Sequence, residues 1–201
     1  MGEFTNRRAG TAVTADPVVS PVTASELEAW LGLPAADPNS ALLLASATSA
    51  VIGYIGRDLL TREWVLTHWD WPVWGTMTPR SLGAQVGDFA REINLPYGPA
   101  QSVESVTSYG EALTEFTVRD EAIIVFGVGR NGLNEFPALV VAYTAGFGDT
   151  PADVPDAIKQ AILQLAAFQY EHRGSCDSIM AMSKSGAAEL LTPWRKAELL
   201  W

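Results

Sequence analysis

The sequence predicts an α+β fold: a helical bundle core with a small antiparallel β-sheet region inserted into it. Three observations carry this reading. Apolar residues recur at helical spacing up to Gly56, short runs of β-branched and aromatic residues take over between Arg62 and Tyr143, and helical spacing returns at Val154. The implied organisation is a flexible N-terminal arm over residues 1–22, a first helical segment of the core over 23–61, the inserted β-region over 62–148, and over 149–201 a second helical segment that ends in a docking segment.

Each element has its own signals. Met1 to Pro21 mixes Thr, Ala, Gly, Pro and charge without periodicity, so an arm disordered in the isolated protein is expected. Thr23-Ala24-Ser25-Glu26 is a capping box that opens a short helix with Leu27, Trp30 and Leu31 as its apolar stripe, ended by Gly32 and Pro34. A second helix runs from Asn39 or Ser40 to Ile55, with Leu43, Ala47, Val51 and Tyr54 as one buried face and Gly56 as a left-handed stop. Strands are expected at Trp64–Trp69, Phe116–Val118, Ala122–Phe126 and Leu139–Tyr143, and Pro72 to Gly87 reads as a long loop.

The junction Tyr143-Thr144-Ala145-Gly146-Phe147-Gly148-Asp149 reads as a strand, a tight turn and a capped helix. Gly146 and Gly148 permit positive φ, Asp153 is a candidate N-cap, Pro155 fits a first turn where its missing N–H costs nothing, and Asp156 suits the positive end of the helix dipole. The third helix then runs from Val154 to about Arg173, with Ile158, Ile162, Leu165 and Phe168 on one stripe and Ala157 and Ala161 beside it. A stripe that broad implies packing on two sides, within a bundle or in a subunit ring. A final helical segment follows Ser185.

Composition narrows the function classes. The chain of 201 residues carries 23 acids against 13 bases, a net charge of −10, and no Lys/Arg cluster beyond the pairs Arg7-Arg8 and Arg195-Lys196. Affinity for nucleic acid built on phosphate contacts is therefore not expected. The acidity suits either a channel wall that repels a passing duplex or plain solubility. No apolar run has the length of a membrane span, and no secretory h-region opens the chain. A lone Cys176 excludes an intramolecular disulfide and suits a reducing compartment.

No catalytic, cofactor-binding or metal-binding residues are assigned. Gly127-Val128-Gly129-Arg130-Asn131-Gly132 satisfies a dinucleotide-binding pattern, but Phe136-Pro137-Ala138-Leu139-Val140 continues it as a strand, not as the helix whose N-terminus would hold a pyrophosphate. His68 and His172 lie outside any metal-ligand spacing, and neither Ser81 nor Ser175 has a partner for nucleophilic chemistry. Asp149, Asp153 and Asp156 fall in a turn and cap, where Asp is locally useful.

The motifs resemble those of the head-to-tail connector (adaptor) proteins of tailed bacteriophages and related gene transfer particles. The residues that carry the resemblance are the Tyr143–Asp149 junction with Val154-Pro155-Asp156-Ala157-Ile158-Lys159-Gln160-Ala161-Ile162, the apolar helix ending in Tyr54-Ile55-Gly56-Arg57-Asp58-Leu59, and Ile93-Asn94-Leu95-Pro96 with Gln101-Ser102-Val103-Glu104-Ser105-Val106, which match the family's strand pair. The likeness spans roughly Thr23 to Arg173, in the family's order. It implies a non-enzymatic structural subunit without cofactors. Such a subunit forms a ring, typically dodecameric, below the portal protein, extends the DNA channel without sequence-specific binding, and docks the next neck or tail protein. The location implied is the virion neck, assembled in the bacterial host cytoplasm, with no membrane. Another neck component (a stopper or tail terminator) and an enzyme with an unrecognised site are the alternatives.

Aromatic residues supply the candidate contact sites. Trp69, Trp71 and Trp74 are expected in a subunit interface, because aromatic side chains bring large apolar area per ordered group. Trp194, Arg195, Lys196, Leu199, Leu200 and Trp201 are expected to dock on a partner, the portal being the first choice, with packing back onto the chain's own helices as the alternative.

Overall fold

The computed structural model describes residues 10–15, 19–34, 37–69, 78–79, 89–119, 122–125, 138–172 and 178–196. The chain divides into two compact units, one made of Met1–Asp16 and Arg62–Ala145, the other of Pro17–Thr61 and Gly146–Trp201. The fold class is α+β, as the sequence predicts.

The first unit is all β. Its strands are β1 (Gly10–Ala15), β2 (Arg62–His68), β3 (Thr78–Pro79), β4 (Phe89–Asn94), β5 (Ala100–Ser108), β6 (Glu111–Ala112), β7 (Phe116–Arg119), β8 (Ala122–Val125) and β9 (Leu139–Ala145). They form a five-stranded sheet in the order β1-β2-β9-β5-β6 and a four-stranded sheet in the order β3-β4-β8-β7. Every pairing is antiparallel. Strand β9 is the centre of the larger sheet: Leu139, Val141, Tyr143 and Ala145 are buried while Val140, Ala142 and Thr144 alternate with them at half-burial, the period of two that fixes one face on a core. Those four side chains share one apolar cluster with Trp64, Leu66 and Val106 of the same sheet and Ile93 and Ile123 of the other. Trp64 stacks on Tyr97 at 4.2 Å, and the buried Tyr143 donates its phenolic O–H to the Pro96 carbonyl, so the one polar atom of a large core side chain is satisfied.

Three expectations change here. Residues 10–15 lie in the segment expected to be a disordered arm, yet they form the edge strand β1, because the β-branched Thr11, Val13 and Thr14 suit pairing with β2. Part of the expected loop between Pro72 and Gly87 is strand β3. Ile93-Asn94 and Gln101–Val106 are both in strands but not paired with each other: β4 lies between β3 and β8, whereas β5 lies between β9 and β6.

The second unit is helical, with α1 (Ala24–Leu31), α2 (Ser40–Ile55), α3 (Asp156–Glu171), α4 (Ser178–Lys184) and α5 (Ala187–Leu191). Thr23 and Glu26 close the predicted capping box at 3.3 Å and 2.7 Å, and Gly32 (φ 67) and Gly56 (φ 67) stop α1 and α2 in the left-handed conformation. Helix α3 is central: it packs on α1, α2, α4 and α5, and Ile158, Ala161, Ile162, Leu165 and Ala166 are fully buried. This is the physical content of its broad apolar stripe. The buried face of α2 is Leu44, Ala47, Val51 and Ile55, rotated from the expected Leu43–Tyr54 line. No residue from Ser40 to Ile55 is charged, so only small, weakly polar residues such as Ser46 and Ser49 mark an outer side of the helix. On α1, Trp30 is 53% exposed instead of lying in the stripe, and Glu28 is buried with its carboxylate accepting the Asp37 N–H at 3.1 Å. Helix α4 is an element that the sequence reading lacks.

Asp153 does not cap α3. It closes a 3-10 turn, Pro151–Asp153, by accepting from the Thr150 N–H (2.9 Å) and hydroxyl (2.7 Å), and Pro155 stands at the N-cap of α3. Those two bonds, the hydroxyl's first, hold the Asp153 carboxyl below its ordinary pKa. Asp156 is in the first turn, paired with Lys159 at 2.7 Å. The two junction glycines act differently: Gly146 has φ +139 and a Cβ there would meet the Leu60 carbonyl group at 2.5 Å, whereas at Gly148 the obstacle is the Asp153 side chain, also at 2.5 Å.

Candidate docking surface

Of the six residues expected to dock, Trp194, Arg195 and Lys196 lie in the described part of the chain. Helix α5 ends at Leu191 and continues as a 3-10 turn over Thr192–Trp194, where Pro193 is accommodated because the first turn needs no N–H from it. The segment then settles along the C-terminal end of α2. The Lys196 N–H donates to the Ile55 carbonyl (2.8 Å), one of the helix-end acceptors without an intrahelical donor, and Arg57 Nε donates to the Trp194 carbonyl (2.8 Å). The Trp194 ring meets Phe147 edge-on at 5.8 Å, and the Arg195 guanidinium lies 4.9 Å from the centre of the Tyr54 ring.

Two of the three motifs that carry the resemblance therefore serve the same segment. Tyr54 and Arg57 of the first and Phe147 of the junction form its seat within the helical unit. Sequence reasoning singled out the signature residues and the terminal segment separately, and no periodicity connects positions so far apart in the chain.

Arg57 and Lys196 bring two basic groups close together here, in a chain of net charge −10. Burial and the nearby Arg57 lower the Lys196 pKa to about 8, and burial lowers that of Arg57. Leu199, Leu200 and Trp201 lie outside the described residues, as do Trp71 and Trp74. Trp69 follows the end of β2 and is 41% exposed.

The remaining candidates are accounted for locally. His172 stacks on Phe168 at 4.1 Å, with Nδ1 3.0 Å from the Phe168 carbonyl at the end of α3. His68 is half-buried, and burial lowers its pKa. Gly127–Gly132, Ser81, Ser175 and Cys176 are outside the described residues. Among the described residues, no group of three or more His, Cys, Asp or Glu side chains converges as metal ligands, and no helix is long and apolar enough to cross a membrane.

No protein-family model and no curated protein matches the sequence. Solved structures do match in fold. A chain from the neck of a native gene transfer agent particle, computed with C12 symmetry, superposes with a TM-score of 0.69 at 20% identity, over 95% of this chain and 97% of that one. A chain from the neck of an empty particle, computed with C6 symmetry, gives 0.66 at 19% identity over 95% and 97%. A chain from the virion of the native gene transfer agent gives 0.64 at 20% identity over 94% and 97%. This chain shares its fold with these gene transfer agent chains over nearly the whole of both.

Proposed function

We propose that this chain is a head-to-tail connector (adaptor) subunit, a structural protein without catalytic activity that assembles as a dodecameric ring below a portal. In this reading the ring extends the DNA channel in the virion neck, DNA passes without sequence-specific contact, and the outer end receives the next neck or tail protein. Assembly takes place in the host cytoplasm. The observation that supports it most is the fold match over nearly the whole of both chains to a chain from a particle neck computed with C12 symmetry. The mechanism is interface formation: residues 194–201 dock on the portal, with Trp194, Arg195 and Lys196 presented from their seat on α2, and Trp69, Trp71 and Trp74 contribute to contacts between subunits.

The test combines imaging with truncation. Purified protein mixed with portal-bearing heads should appear in negative stain as a ring on the portal; protein that remains monomeric and never associates with heads would overturn the reading. Deleting residues 197–201 leaves the Arg57, Ile55 and Tyr54 contacts of the preceding segment in place. The truncated protein should melt as the full chain does while co-sedimenting less with heads that lack tails, and unchanged co-sedimentation would sink the docking role.

A further inference from the structure

Strand β1 lies at one edge of the five-stranded sheet. The side chains described on it, Thr11, Ala12 and Val13, are all exposed, and even Val13, which stands opposite the core residue Trp64, is 39% exposed. None of these three side chains belongs to the apolar cluster of the β-unit. What holds the strand is therefore the backbone ladder with β2, which runs from Gly10↔Thr67 to Ala15↔Glu63 with a shift in register between Val13 and Ala15. The sequence Gly-Thr-Ala-Val-Thr-Ala also lacks the charges and prolines that protect an edge from pairing with another chain.

Connectivity adds a second argument. Strands β1 and β2 are not joined by a hairpin turn: the chain between them contributes helices α1 and α2 to the other unit before returning at Arg62. No local turn chemistry fixes the pairing within one chain. The β2 edge is chemically identical in every copy, so a ladder donated by a neighbour replaces every backbone bond of the ladder made within one chain, and the described side chains Thr11, Ala12 and Val13 leave no buried position in doing so. Where copies are held side by side, their high effective concentration favours such an exchange.

We propose that β1 exchanges between copies of this chain, the N-terminal strand of one subunit completing the five-stranded sheet of the next along β2. The proposal rests on the ring reading only in that the ring supplies the neighbour.

Opposed positions in the ladder allow a direct test. One population carries Ala12→Cys and a second, differently tagged, carries Val65→Cys, both in a Cys176→Ser background; Cβ atoms directly opposite across an antiparallel pair are about 5 Å apart, within reach of a short bifunctional thiol reagent. Gly10→Cys with Thr67→Cys is a second pair, which guards against a variant that fails to fold. Mixed populations should give a cross-linked product joining the two tags, increasing with protein concentration and in rings assembled on portal-bearing heads. A chain carrying both Ala12→Cys and Val65→Cys should shift from intrachain closure to interchain products over the same series. Closure within single chains alone, with no product between tags at any concentration or on heads, overturns the exchange. Sedimentation of the same samples keeps the two ideas apart: rings without cross-tag product refute the exchange alone, and cross-tag product without rings on heads refutes the connector reading alone.

Discussion

Replacing Arg57 with Met interrogates the seat of the terminal segment with two independent readouts. The substitution keeps an apolar stem of similar reach and removes the Nε donor, leaving the Trp194 carbonyl without the partner it has at 2.8 Å. A hydrogen bond to a charged group contributes about 1.5–3 kcal/mol, and the half-burial of Arg57 places this one near 1.5. For a chain of this size that is a fall in Tm of about 3–6 °C. The second readout is Lys196. Burial is the larger cause of its lowered pKa and the Arg57 charge the other, so removing the charge should move the amine from about 8 part of the way back towards 10.5. The sign for stability follows. Because the folded pKa lies below the unfolded one, the penalty of keeping the amine charged is fully present below about pH 8 and is relieved as pH rises towards 10.5. With the amine partly exposed to solvent, screening reduces that penalty to about 1 kcal/mol. The variant should therefore gain less stability between pH 8 and 10.5 than the parent. Lysine-selective NMR titration and thermal melting across this range are the assays. An unshifted Lys196 together with an unchanged melting temperature would refute the reasoning.

Other substitutions test the junction, the first cap and the aromatic contact. Gly146→Ala forces a Cβ to 2.5 Å from the Leu60 backbone at φ +139 and should cost about 3 kcal/mol, whereas Gly53→Ala, in open space on α2, should be neutral or stabilise by up to about 1 kcal/mol; urea denaturation of the pair checks the contrast, and equal midpoints would contradict it. Thr23→Ala removes the acceptor of the Glu26 N–H and the hydroxyl donor to the Glu26 carboxylate but keeps the Thr23 backbone N–H, the larger cause of the lowered Glu26 pKa, so a loss of about 1 kcal/mol is expected with only a partial rise of that pKa, read by carboxyl NMR. The Phe147→Ala and Trp194→Ala double-mutant cycle should return a coupling of about 0.5–1.5 kcal/mol, and strict additivity would mean that the edge-on contact contributes nothing.

What the sequence determines by itself is local. The Thr23-Glu26 capping box, the left-handed stops at Gly32 and Gly56, and the alternation of β9 depend on residues within a few positions of each other, where hydrogen-bond reach and backbone sterics leave one outcome. The α+β order of elements follows from the same local periods. The exact face that α2 buries was decided only in three dimensions, because a helix without charge, marked on its outer side only by small residues such as Ser46 and Ser49, leaves its neighbours to select the buried line. Tertiary pairing also set the partners of β4 and β5: each strand satisfies its backbone with whichever edge the fold brings to it, and β-propensity carries no address. The same holds for β1, whose few β-branched residues read as an arm until β2 supplies the ladder. The seat of Trp194–Lys196 is the plainest case. Tyr54, Arg57 and Phe147 were each visible as parts of signatures, but that they meet one segment from the far end of the chain depends on the packing of α2 and α5 against α3, a non-local outcome that no window of sequence contains.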